Sequence, residues 1–132
     1  MSSKITVRPA RTGDVRAIQA MRQQLEGSKV LLGHELVTLY EAVPEFLVAV
    51  DDTDSVIGAG ALHVMWEDLA EVRSMVVAEN LRGTGVGHAV LEALLAKAQS
   101  VGIKRVFCLT FETEFFGKHG FAEISDLPVD EA

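Results

Sequence analysis

LRGTGVG, at residues 81–87, is the most informative segment of this chain. It follows a predicted strand that ends at Val77 and precedes a predicted helix whose apolar positions, from Val90 to Ala98, form one stripe. At such a strand-to-helix turn, successive backbone N–H groups can surround an anion, and glycine lets the backbone approach it closely. A plain flexible turn is the alternative, because three glycines at a spacing of two are a weak signal alone. Neither common phosphate motif fits, since GxGxxG requires a glycine where His88 stands and a Walker motif requires Gly-Lys followed by Ser or Thr.

Hydrophobic periodicity and turn residues predict the other elements. The expected order is strand, helix, helix, three strands, helix, strand, short helix and strand, at residues 5–9, 12–26, 36–43, 46–50, 56–65, 71–77, 83–102, 105–110, 112–119 and 121–124. Thr12 is the expected cap of the first helix. The prediction is a mixed α/β (α+β) fold with a mostly antiparallel sheet flanked by helices, in one domain at residues 1–132, and not an alternating Rossmann pattern.

The composition excludes several classes of protein. A net charge of −7 argues against a broad nucleic-acid surface, which needs clustered Lys and Arg. Apolar runs such as residues 46–50 and 56–65 fall far short of the roughly 20 residues that a membrane helix needs. The N-terminus shows no signal peptide, so we expect a cytoplasmic protein. Cys108 is the only cysteine and the four histidines lack ligand-like spacing, so we expect no metal site.

Two motifs carry a resemblance to a known family. Arg82, Gly85 and Gly87 meet the pattern (Q/R)xxGx(G/A), and FFGKHGF at residues 115–121 is similar to FYxKxGF. In this order the motifs resemble the GNAT family of N-acetyltransferases, over about residues 5–124. The resemblance implies the GNAT fold, with the first motif joining the fourth strand to the third helix, and acetyl-CoA as the cosubstrate. It places the cofactor against Arg82, Gly83, Thr84, Gly85, Val86, Gly87 and His88.

Acetyl transfer needs a deprotonated amine, a polarised thioester carbonyl and a protonated leaving thiolate. Glu71 matches the position of the carboxylate base in many members of the family; a surface glutamate on a strand is the alternative. The backbone N–H groups of Met75, Val76 and Val77 would polarise the thioester oxygen if the strand is splayed as in the family. Phe116 stands where the family usually has the tyrosine that protonates the thiolate.

Two other residues have side chains that can act in catalysis, but each has a simpler interpretation. Tyr40 is the only tyrosine, and its helical spacing on the second helix favours packing over proton transfer. Cys108 lies in the apolar segment 106–109 and is most simply a buried core residue, not a nucleophile. The identity of a general acid therefore stays open, and the thiolate could leave unassisted or take a proton from water.

Three blocks of sequence bear on which amine accepts the acetyl group. They are LVTLYEAVPEF, GALHVMWEDLAEVRSMVV and LTFETEFFGKHGF. They resemble the short single-domain N-acetylglutamate synthases of actinobacteria, which implies acetyl transfer to the α-amino group of L-glutamate in arginine biosynthesis. Arg73, two residues after Glu71 on the same strand face, is the favoured cation for a substrate carboxylate; an ordinary ion pair is the alternative. Lys29 and His34 are weaker candidates.

The chain departs from the synthases in two places. Residues 111–115 read FETEF where larger synthases carry a cation, so glutamine or another amino acid stays possible. The sequence also ends without the family's last strand, which predicts either a shortened sheet or a partner strand in a homodimer. Competing interpretations are an acetyltransferase for a different small amine and a non-catalytic acyl-CoA-binding module.

Overall fold

The structure is a computed structural model that describes residues 4–26, 33–110, 113–122 and 124. Its strands are β1 (Thr6–Pro9), β2 (Phe46–Val50), β3 (Val56–Trp66), β4 (Leu69–Val77) and β5 (Arg105–Phe107). Its helices are α1 (Val15–Glu26), α2 (Gly33–Glu41), α3 (Val86–Ser100) and α4 (Thr113–Gly117), with short 3-10 turns at Thr12–Asp14, Val43–Glu45 and Glu79–Leu81.

The strands form one sheet in the order β1-β2-β3-β4-β5, in which every pair is antiparallel except β4 and β5. The predicted mixed, mostly antiparallel fold is therefore confirmed. The β2–β3 turn is held by Asp51, whose Oδ1 accepts hydrogen bonds from the backbone N–H groups of Thr53 at 2.9 Å and Ser55 at 3.1 Å. A hydrogen bond from the Thr53 hydroxyl, foremost, and these backbone bonds lower the pKa of Asp51.

Both faces of the sheet are covered, which explains why β2 is apolar throughout. Leu47 and Ala49 pack in a cluster with the buried stripe of α3, whereas Phe46, Val48 and Val50 pack in a second cluster with α1 and α2. Adjacent residues serve opposite faces because side chains alternate along a strand. The sheet thus separates two apolar layers. None of the helices within the described ranges has the length and apolar composition needed to cross a membrane.

The start of the first helix differs from its prediction. Thr12 is the first residue of a 3-10 turn, and the N-cap is Arg11, whose backbone N–H donates to Oδ2 of Asp14, the third residue of the turn, at 2.7 Å. Arg8 of β1 donates to both oxygens of the same carboxylate, at 2.9 and 3.1 Å. Asp14 is buried, and this ion pair joins β1 to α1.

The C-terminal half is less regular than predicted. The predicted strand at 105–110 is present only as β5, which ends at Phe107. Its predicted burial is wrong, because Arg105 is exposed, residues 106–108 are half-buried and Leu109 is 83% exposed. Phe121, Ala122 and Ile124 form no strand, and the Phe121 ring packs edge-on against Phe116 instead.

Candidate active site

A β-bulge shapes the centre of the site. Val76 pairs with Ala59 and Arg73 pairs with Ala61, so Ser74 and Met75 together oppose the single residue Gly60. Ser74 adopts a φ of 57°, a left-handed conformation that is uncommon for a residue with a side chain. A bulge increases the local twist and bends its strand. β4 therefore changes direction just after Arg73.

β4 and β5 diverge near this bulge. Their parallel pairing runs only from Leu69 opposite Arg105 to Glu71 opposite Phe107, and β4 continues to Val77 with no β5 residue paired beside it in the described part of the chain. The predicted splay is therefore present. Glu71 lies at the vertex of the cleft, because it is the last residue of β4 that pairs with β5.

The backbone at the open edge of β4 is oriented by its pairing with β3. Ala78 N–H donates to the Ile57 carbonyl of β3 at 2.9 Å. Since successive N–H groups of a strand point to opposite edges, the Val77 N–H points into the cleft and the Val76 N–H points toward β3. Of the predicted group of backbone donors, Val77 has this orientation and Val76 does not. Met75 lies in the bulge itself.

The glycine-rich loop forms a tight turn that ends in the N-terminus of α3. Gly83 and Gly85 have φ angles of 81° and 97°, and Gly85 is the N-cap residue, so the helix begins at Val86 and not at Gly83. Positive φ at these two positions explains the glycines, because a Cβ atom disfavours it. The first N–H groups of α3, from Val86 to His88, have no partner within the helix, and this end of α3 lies beside Val77 at the end of β4.

Side chains of the loop divide into structural and exposed groups. Val86 is buried in the core, and the Thr84 hydroxyl donates to the Leu81 carbonyl, so both side chains hold the turn. Arg82 is exposed. A Cβ at Gly87 would lie 3.4 Å from the Phe115 ring and 3.5 Å from Cγ2 of Val77, which are ordinary van der Waals distances, so the loop lies against α4 and the end of β4 here.

His88 contacts α4 and the turn that follows it. Its Nδ1 lies 2.7 Å from His119 Nε2, and its ring centroid lies 4.7 Å from that of Phe115. Phe116, at the position of the family's tyrosine, is buried and packs edge-on against Phe115 and Phe121. The position that carries a tyrosine hydroxyl in the family therefore holds a phenyl ring that packs in the core of this protein.

A second concavity, of about 230 Å³, lies between α1, α2 and the sheet. Its charged lining residues are Arg22, Glu35, Glu45 and Arg73. Arg73 Nε donates to Glu71 Oε1 at 2.8 Å, and the exposed fraction is 44% for the Arg73 side chain and 12% for that of Glu71. The prediction that the two side chains share a face is confirmed by their ion pair. A role of Arg73 toward a substrate carboxylate stays a prediction.

Cys108 follows β5 close to Glu71. Burial, and to a lesser extent the negative charge of Glu71, raise the pKa of its thiol. A thiol whose pKa is raised stays protonated near neutral pH and is a poor nucleophile. Tyr40, predicted to pack, is 39% exposed, so its packing is partial.

Sequence reasoning missed Arg22, Glu35, Glu45, His63 and Ser74. Arg22 donates from Nη1 to Ser74 Oγ at 2.8 Å and from Nε to Glu35 Oε2 at 2.9 Å. His63 Nδ1 lies 2.9 Å from Glu45 Oε2. Arg22 follows Ile18 and Met21 at helical spacing, so the pattern alone assigns it to packing. A charged residue on an apolar helix face was the available signal, because a buried charge requires partners.

Two predicted substrate residues cannot be compared with the structure. Lys29 lies outside the described residues, and of His34 only the backbone, in α2, is described. In the described ranges, no three His, Cys, Asp or Glu side chains come together as a group able to hold a metal ion.

Comparison with known proteins gives consistent matches. The model of the acetyltransferase (GNAT) family matches residues 17–121. An amino-acid acetyltransferase of Mycobacterium tuberculosis is 52% identical over 125 residues, which are 93% of this chain and 71% of that protein. A Mycobacterium tuberculosis protein solved in complex with CoA and NLQ superposes with a TM-score of 0.84 at 50% identity, covering 96% of this chain and 76% of that one. The N-acetylglutamate synthase of Neisseria gonorrhoeae, solved with CoA and L-arginine, has a TM-score of 0.78 at 27% identity, over 96% of this chain and 30% of that one.

Proposed function

We propose that this chain, which belongs to the GNAT acetyltransferase family and is an N-acetyltransferase, transfers the acetyl group of acetyl-CoA to the α-amino group of an amino acid, with L-glutamate as the first candidate. One observation carries the proposal. A carboxylate and a guanidinium, Glu71 and Arg73, lie side by side on β4 where the strand separates from β5.

The cofactor half of the cleft fits acetyl-CoA by the chemistry of its donors. The N–H groups at the start of α3 and the helix dipole favour the pyrophosphate, and the positive φ angles of Gly83 and Gly85 keep side chains out of its path. Exposed Arg82 adds a nearby positive charge. The Val77 N–H, at the open edge of β4, is suited to donate to the thioester oxygen.

On the acceptor side, Glu71 takes the proton of the ammonium group, directly or through water. Arg73 keeps its Nε on Glu71 while its Nη atoms, which have no hydrogen-bond partner among the described residues, bind the α-carboxylate. The neutral amine then attacks the thioester carbon directly, the C–S bond breaks, and CoA leaves as a thiolate that takes up a proton from water while the attacking nitrogen loses one to solvent. The protonated thiol of Cys108 supports this route over an acetylated cysteine.

L-Glutamine is a second candidate acceptor, favoured by the charges in the cavity. Glu35 and Glu45 both line it, and each already has a partner, Arg22 and His63 respectively. A neutral side-chain amide fits beside these carboxylates with less repulsion than a second carboxylate does. Arginine biosynthesis, a cytoplasmic location and a homodimer stay predictions.

The test is release of CoA by the purified chain with acetyl-CoA and a panel of acceptors at matched concentrations. The panel contains L-glutamate, L-glutamine, other amino acids, polyamines and the α-amide of glutamate, which lacks the α-carboxylate. The proposal expects turnover with glutamate or glutamine and little with the α-amide. A preference for polyamines contradicts it, and acetyl-CoA binding without release for any acceptor indicates a non-catalytic module.

A further inference from the structure

Arg22 joins three elements around the bulge of β4. It extends from α1, donates through Nη1 to the hydroxyl of Ser74 on β4, and donates through Nε to Glu35 on α2, at 2.8 and 2.9 Å. The side chains of Arg22 and Glu35 are only 24% and 21% exposed. A guanidinium with two fixed acceptors in this setting holds a defined orientation.

The Arg22–Ser74 hydrogen bond ends on the residue of β4 that has the least favourable backbone conformation. Ser74 has a φ of 57°, which its Cβ atom disfavours, and the bulge that it forms with Met75 leaves a residue out of the ladder to β3. Persistence of such a conformation requires support from the surroundings. The Arg22–Ser74 bond supplies support from the α1 side.

Contacts on the α3 face of the sheet also hold the bulge of β4 in place. A Cβ added at Gly60, opposite the bulge, would lie 2.6 Å from Met75 Sδ and 2.9 Å from Leu94 Cδ1. Met75 therefore fills the space over Gly60 on the α3 face, while Ser74 is bound on the α1 face. The bulge is held from both layers.

We propose that Arg22 is a positioning residue for acetyl transfer: by holding Ser74 in the left-handed conformation, it fixes the direction in which β4 leaves β5. This inference rests on the proposed function only in taking the cleft as the site of the thioester. Val77, three residues after Ser74, presents its N–H to the cleft, and Glu71, three residues before Ser74, lies at the vertex. A shift at the bulge changes the distance between donor and base.

The experiment compares Arg22→Met, Ser74→Ala, Ser74→Gly and the double variant R22M/S74G. We expect R22M and S74A each to lower kcat about 10- to 100-fold with a smaller change in the acceptor KM. S74G should stay close to wild type, because glycine adopts a positive φ without an anchor. For the same reason R22M/S74G should recover much of the kcat that R22M loses. Arg16→Met, on the exposed face of the same helix, is the matched control.

Other outcomes overturn the inference. An acceptor KM that rises in R22M at unchanged kcat, without recovery in R22M/S74G, makes Arg22 a substrate ligand. Equal activity of R22M and R16M leaves Arg22 without a role. If R22M does not fold by circular dichroism, S74A decides the question alone, because it keeps the Arg22–Glu35 pair; unchanged kcat in S74A then contradicts the inference.

Binding without an acceptor separates this inference from the proposed function. Only acetyl-CoA, not CoA, carries the thioester oxygen for the Val77 N–H. We therefore expect R22M to reduce the ratio of acetyl-CoA to CoA affinity, measured by calorimetry, even if no amine is turned over. An unchanged ratio together with unchanged kcat contradicts the positioning role, whereas absence of wild-type turnover contradicts only the proposed function.

Discussion

Arg73 Nε lies 2.8 Å from Oε1 of Glu71, and the two residues are separated by one position on β4. The carboxylate is much less exposed than the guanidinium that binds it. Arg73 thus orients the carboxylate from the more exposed side, at the edge of the cavity that both Arg73 and Ser74 line. The pair can serve as a base and as a binding group at once, and the two roles are separable by mutation.

Glu71→Gln should lower kcat by about 100- to 10,000-fold, because an amide cannot take the proton of the acceptor ammonium. Acetyl-CoA affinity should be nearly unchanged, since the groups proposed to bind the cofactor belong to the glycine-rich loop, the start of α3 and the end of β4, and not to the Glu71 side chain. Steady-state kinetics and calorimetry measure the two quantities. Glu67→Gln, at the exposed β3–β4 turn, is the control. Equal loss of turnover and acetyl-CoA affinity would make Glu71 a structural residue.

Arg73→Met should raise the KM for the amino acid by about 10- to 100-fold, the size of a lost hydrogen bond between charged groups. Acetylation of the α-amide should change less, because that acceptor brings no carboxylate to Arg73. Arg105→Met is a suitable comparison, since the Arg105 side chain is 69% exposed and its Nη2 lies 3.6 Å from Oδ1 of Asp68. A loss confined to kcat, for both acceptors, would mean that Arg73 acts only on Glu71.

Gly85→Ala should weaken acetyl-CoA binding by about 5- to 30-fold, the equivalent of the strain of a Cβ atom at positive φ. This substitution tests the backbone conformation without adding a steric clash, because an added Cβ at Gly85 meets no heavy atom within 4 Å. Gly13→Ala is the matched control, with equally open space and no positive φ. Calorimetric Kd values test the prediction, and equal affinity in both variants would show that the loop tolerates a shifted turn.

The parts that sequence predicts well are those set by local pattern. The continuous apolar runs of β2 and β3 and the apolar stripe of α3 locate these elements, because a strand covered on both faces is apolar throughout and a helix covered on one face is apolar at helical spacing. The glycine loop is recognisable because its φ angles require glycine. Ser74 has no such signature, since its conformation depends on Arg22, 52 residues earlier in the chain. β5 is shorter than the apolar segment that predicted it, because β4 turns away after Glu71. The local sequence of β5 does not indicate this change of direction in β4.

Cys108→Ala should keep most of the activity and leave the kinetics sequential, because the raised pKa keeps the thiol protonated. Since Cys108 is the only cysteine, the variant is also the blank for thiol labelling. Initial-rate patterns and mass spectrometry of the protein mixed with acetyl-CoA test this expectation. Ping-pong kinetics, with an acetyl group on Cys108 in wild type and not in the variant, would contradict direct transfer.

The Asp14 carboxylate should make stability depend on pH. Hydrogen bonds from Arg8, foremost, and from the Arg11 backbone hold the pKa of Asp14 below its ordinary value of 3.8. A group whose pKa is lowered by folding stabilises the fold above the unfolded-state pKa, and this contribution is lost as pH falls through the folded-state pKa. Asp14→Asn should therefore lower the free energy of unfolding by about 2–4 kcal/mol at pH 7, because Arg8 loses its buried charge partner.

The difference between wild type and D14N should be constant from pH 7 to about pH 5 and should shrink in more acidic solution, as Asp14 of the wild type takes up its proton. Urea unfolding at a series of pH values measures it. Asp52→Asn, in the exposed β2–β3 turn, is the control for removing one negative charge without a buried partner. A difference that stays the same down to acid pH would mean that the asparagine disturbs packing, and that the Arg8–Asp14 charge pair contributes little to joining β1 and α1.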